Sequence, residues 1–176
     1  MGKILLLVGL LAGGYYAAYK IKNYDPTVFP YSKDQVLAIL DDAKTTLPRR
    51  DGHGEVKIWS EGRSENGLRL NMQYASSAPL LKCEAVITAV APDQTRVVPD
   101  CSSGPKSDSA LRNTQEELQV PMFEEHIQAT LNKRAFNRAT VDQKHIATVF
   151  KNLGGMQNEA IRNLEEMQRL EAESRR

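Results

Sequence analysis

Side chains able to do chemistry are few in this chain and scattered along it. The three histidines are His53, His126 and His145, and none falls in an HExxH or paired-cysteine spacing that would gather metal ligands. His53, flanked by glycines, reads as a solvated loop histidine. The carboxylate pairs Asp41/Asp42 and Glu124/Glu125 are chain neighbours on expected helices. Successive helical side chains diverge by about 100°, so neither pair can work as acid and base on one substrate atom. There is no GxSxG elbow and no phosphate-cradling GxGxxG or GxxxxGK[ST] loop, and the CSSGPKS segment at residues 101–107 lacks strand-turn-helix context. No residue is assigned as catalytic, cofactor-binding or metal-ligating, and no cofactor is implied. Enzymatic activity stays open, with the balance against it.

Cys83 and Cys101 are the two cysteines, and they bracket an expected hairpin whose midpoint is Pro92. Placed nearly opposite each other, they could form a cross-strand disulfide if their Cα atoms approach within roughly 7 Å in an oxidising compartment. Two separate buried thiols are the alternative. Trp59, beside Ile58 in an expected strand, is read as ordinary core rather than as the wall of a cavity.

The elements that would carry these residues begin with a hydrophobic run at residues 4–19, bounded by Lys3, Lys20 and Lys22. About 16 helical residues rise roughly 24 Å, slightly short of a hydrocarbon core, but lysines snorkel and Tyr15, Tyr16 and Tyr19 suit the interface. Residues 1–22 are therefore expected to be a transmembrane signal-anchor, with a cleaved signal peptide as the alternative. Lysine counts are too even to orient it; the short leader and the cysteines favour a periplasmic domain on a single-pass inner-membrane anchor. A cytoplasmic face, or secretion after cleavage, is the competing placement. Neither cysteine sits where a lipid would be attached.

The rest of the 176 residues fits one domain plus an appendage. Residues 23–31 hold two prolines and read as a linker or an edge strand. Residues 32–139 read as an α+β domain. Ser32 and Gln35 form a capping box for a helix with Val36, Leu40, Ala43 and Leu47 on one face, closed by Pro48. Two hairpins follow, EVKIWSE with LRLNMQY, and residues 80–90 with 96–100, giving about five strands. Residues 102–113 are expected to be an exposed loop. A helix follows Pro121 with Phe123, Ile127 and Leu131 on one face. Residues 140–176 form a C-terminal helical extension opened by a capping box at Thr140 and Gln143. Ile146, Val149, Leu153, Met156 and Ala160 recur along it at intervals of three and four. The Gly154–Gly155 pair is expected to break that helix, since two interior glycines cost about 2 kcal/mol.

Net charge is +1 and aromatics are 6%, so neither a basic field nor a stacking ladder for nucleic acid is present. The order of VFPYSKDQVLAIL, IWSEG with LRLNMQY, CEAVITAVAPDQTRVVPDC and VPMFEEHIQATLNKRAF resembles the START-like, polyketide cyclase/dehydrase superfamily with its helix-grip fold. That resemblance covers residues 27–136 and rests on element order. It implies a curved antiparallel sheet around the helix at residues 121–135, with an apolar cavity for a lipid or another hydrophobic ligand. The expected function is a membrane-anchored, non-catalytic envelope module that binds a protein partner, through its C-terminal helix, or a hydrophobic ligand. A START-like carrier or cyclase-type enzyme, and a self-associating scaffold, are the alternatives.

Overall fold

The structure, a computed structural model, describes residues 25–102 and 108–174, so the expected membrane anchor lies outside the described residues. Among the described residues no helix is long and apolar enough to cross a membrane. The elements are β1 (Val28–Phe29), α1 (Lys33–Asp41), β2 (Lys44–Pro48), β3 (Glu55–Arg63), β4 (Gly67–Gln73), β5 (Leu81–Ala91), β6 (Gln94–Asp100), α2 (Ala110–Glu117), α3 (Val120–Leu131) and α4 (Arg138–Ser174). The fold is α+β. Its six strands form one antiparallel sheet in the order β1-β6-β5-β4-β3-β2, curled into a half-barrel.

β1 and β2 follow one another in the chain yet occupy opposite edges, because α1 carries the backbone across the concave face and touches β3, β4, β5 and β6 on the way. Alternation decides what lies under α1 and α3. Ile58, Leu68, Leu70, Met72, Ala85 and Ile87 point inward and are buried, as are Val36 and Leu40 of α1 and Phe123, Ile127 and Leu131 of α3. Each of these side chains except Ala85 contributes about 1.5–3 kcal/mol relative to exposure.

One strand more is present than expected, and it comes from the segment read as the end of the first helix. α1 stops at Asp41, with Asp42 as its C-cap; Lys44–Pro48 pairs with β3 from Lys44 opposite Trp59 to Pro48 opposite Glu55. Ala43 and Leu47 match a helical stripe through Val36 and Leu40, but Leu47 also shares a strand face with Thr45, and two β-branched threonines favour the pleated edge. Pro48 suits that edge because its missing N–H faces no neighbour. The ambiguous segment at residues 23–31 supplies β1, paired with β6 through Val28–Arg96 and Phe29–Thr95.

Four further expectations are corrected. Residues 110–113 are the first turn of α2, whose N-cap Ser109 accepts the Arg112 N–H at 3.2 Å, and not loop. α4 runs unbroken through Gly154 and Gly155. It begins at Arg138, with the Asn137 side chain accepting the Thr140 N–H at 3.3 Å in place of the expected Thr140 cap. Trp59 is half-buried on the convex face, in register with Lys44 and Asn71, rather than in the core.

The β5–β6 register places Glu84 opposite Asp100, and one step further Cys83 and Cys101 are bonded, their Cα atoms 4.1 Å apart. Both sulfurs are buried on the concave side. Gly67, opposite Val86 on β5, marks a close approach in the sheet: a Cβ there would lie 2.0 Å from the Ala85 carbonyl oxygen. Gly67→Ala should therefore force β4 from β5 and cost about 3 kcal/mol, read as a lower urea midpoint; an unchanged midpoint would contradict this packing.

Candidate functional site

The placement of α4 is set by a polar joint built on α3. Glu125 is 4% exposed and is held from two sides. Arg134 forks onto both of its carboxylate oxygens, one contact measuring 2.9 Å, and the Asn137 N–H donates to Oε1 at 2.6 Å. Burial pushes the Glu125 pKa up, but the guanidinium and that N–H outweigh it, so the carboxyl sits below its ordinary range. The turn is sharp because Lys133 adopts φ 52°, just after the last turn of α3. One turn of chain thus fixes the angle at which α4 leaves the body.

Beside that joint, His126 is fully buried, with its Nδ1 2.7 Å from the Thr45 hydroxyl of β2 and its Nε2 without a hydrogen-bond partner. Burial lowers its pKa to about 4, so the imidazole is neutral at physiological pH. Its neighbour Glu124 binds Lys144 at 2.6 Å, while Glu125 turns to Arg134, so the adjacent carboxylates serve different partners. Asp41 accepts from Ser60 at 2.9 Å. His53 is exposed in the β2–β3 loop. Among the described residues no group of three His, Cys, Asp or Glu side chains could hold a metal ion.

α2 braces the first half of α4. Glu117 meets Lys151 at 3.3 Å and accepts from Asn152 at 2.9 Å, and Glu159 accepts the Leu111 N–H at 3.0 Å. Between these latches a Cβ at Gly155 would approach the Ala110 Cβ to 3.3 Å. The glycine that looked like a helix break is a contact point that lets α2 lie close.

At about 100° per residue, Val141, His145, Asn152, Gly155 and Glu159 share one side of α4, and this side meets the body. Ile146, Val149, Phe150, Leu153, Ile161, Leu164 and Met167 fall within a stripe of roughly 120° whose centre is roughly 130° away. All seven are exposed, Phe150 to 72% and Leu164 to 54%. Residues 160–174 are exposed throughout and project roughly 22 Å beyond the Glu159 latch. The spacing of this stripe is legible in the sequence; its outward direction is not, since the same repeat would serve a helix lying face-down on the sheet.

A cleft of about 620 Å³ lies between the end of β6, α2 and α4, with Asp100, Glu117 and Lys151 on its lining beside the apolar Pro99, Ala110 and Val120. The concave face itself is filled by α1 and α3. Comparison with family models, curated proteins and solved structures found no match.

Between pH 7.5 and 5 the unfolded chain takes up a proton at residue 126 that the folded chain refuses, so stability falls on acidification across that window, by about 2 kcal/mol. Glu125, depressed rather than raised, adds loss of the same sign only below the ordinary carboxylate range. His126→Gln should flatten the first slope in urea titrations at about pH 7.5 and pH 5; parallel slopes for wild type and variant would refute the neutral-imidazole assignment.

Proposed function

We propose that this chain is a membrane-tethered envelope module that binds a protein partner through the outward face of α4. The observation that carries the reading is the exposed apolar stripe of α4, continuous over residues 146–167 on the side turned away from the body. A monomeric soluble helix normally turns such a stripe inward, and contiguous exposed apolar surface marks a place where something else docks.

The charges flanking the stripe choose among occupants. Over residues 157–174 the sequence holds five glutamates and two arginines. A helix lying on an anionic lipid surface needs the opposite balance, so the partner is a protein offering an apolar groove or helix with basic flanks. The ligand-carrier reading has less behind it, because the helix-grip cavity would occupy the space that Phe123, Ile127 and Leu131 fill. The hydrophobic run at residues 4–19 supports the tether. The Cys83–Cys101 bond supports a periplasmic location, since reducing cytoplasm works against such bonds.

A photo-crosslinking side chain placed at Leu164 in the full-length, membrane-bound protein tests this. The expected outcome is a discrete adduct with a different protein, lost in a Leu153→Glu/Met167→Glu variant that retains the wild-type circular dichroism. An adduct of twice the chain's own mass would replace this reading with the self-associating scaffold. Lipid adducts alone would overturn it.

A further inference from the structure

The geometry points to a second site, independent of the α4 stripe: a cleft at the opposite end of α4 that binds a small organic oxyanion, a phosphate monoester or carboxylate carrying a compact apolar body. The cleft measures about 390 Å³ and is formed where the β2–β3 loop, the end of β4 and the first two turns of α4 converge. Its volume falls within the range that holds small ligands.

Three guanidiniums reach it from two separate chain segments, Arg49 and Arg50 from the loop and Arg138 from α4. Two carboxylates answer them: Arg49 pairs with Asp51, and Arg50 pairs with Asp142. Arg138 donates to the Pro48 carbonyl at 2.6 Å, a contact that orients the fork without neutralising it. The rim therefore carries an excess of positive charge, and guanidinium forks match oxyanions in two parallel hydrogen bonds. The cleft also borders the first turn of α4, where the helix dipole adds positive potential.

Tyr74 supplies a further donor. Burial pushes its pKa up, while Arg138 and Arg50 pull it the other way, so both guanidiniums lie within electrostatic reach of a hydroxyl that stays protonated. His145 lines the same cleft, and its Nε2 is buried without a hydrogen-bond partner, an arrangement native interiors rarely leave unanswered. Val56, Met122 and Val141 complete the lining with apolar surface. A bare inorganic ion would leave that apolar part unused, whereas an aromatic or short aliphatic body would cover it.

The test uses the full-length chain in phosphatidylcholine nanodiscs, titrated calorimetrically with phenyl phosphate, benzoate, inorganic phosphate and benzyl alcohol. Phenyl phosphate or benzoate should bind saturably, inorganic phosphate should compete more weakly, and benzyl alcohol should give no heat at matched concentration. Arg138→Ala should weaken binding about tenfold or more, with Arg138→Lys recovering only part of the loss. Tyr74→Phe, which keeps the ring and the fold, should weaken it about threefold to tenfold. Arg69→Ala, on the convex face, should leave it unchanged. Absence of saturable binding by both aromatic anions up to about 10 mM, or binding that survives both Arg138→Ala and Tyr74→Phe, overturns the site. Equal loss in Arg69→Ala would reduce it to diffuse surface charge and overturns it as well.

Discussion

Strand side chains alternate, so a sheet that places Ile58, Leu68, Leu70, Met72 and Ile87 on one side must press that side against something dry. In this chain α1 and α3 are what cover it. Their own stripes, Val36 with Leu40 and Phe123 with Ile127 and Leu131, complete the interior. Curling the sheet into a half-barrel lets two short helices cover six strands. Both surfaces proposed above as binding sites stand on the rim or outside of that assembly, because its inside is filled.

The interior is not wholly apolar, and its polar members are placed where elements must be held at defined angles. His126 joins α3 to the edge strand β2 through Thr45, and Glu125 gathers Arg134 and Asn137 to turn the chain into α4. A buried carboxylate without its guanidinium would cost several kcal/mol, so the joint has only one well-satisfied arrangement. From that arrangement both outer surfaces follow. It aims the stripe of α4 away from the sheet, and it brings Arg138 to the carbonyl of Pro48, beside the arginines of the β2–β3 loop.

α4 thus contributes to both proposed surfaces along its length. Its first turns close a cleft against the β2–β3 loop, the start of β3, the end of β4 and α3, its middle is latched to α2, and its last four turns stand alone in solvent. A helix of 37 residues is long enough to remain formed past its last support, helped by pairs such as Arg169 with Glu173.

Much of the fold could be read from residue order alone. The hairpins, α3 and the capping box of α1 rest on local signals: alternation in LRLNMQY, turn residues around Pro92, and Ser32 reaching Gln35. Those signals act within a few residues, so local chemistry was enough to reveal them. What the sequence could not decide depended on partners distant in the chain. Leu47 fits a helical stripe and a strand equally well until β3 pairs with it, and Gly155 looks like a break until Ala110 lies against it. The outward stripe of α4 and the meeting of Arg49, Arg50, Tyr74 and Arg138 are of the same kind. Spacing states which side chains share a face, whereas only packing between remote segments states what that face meets.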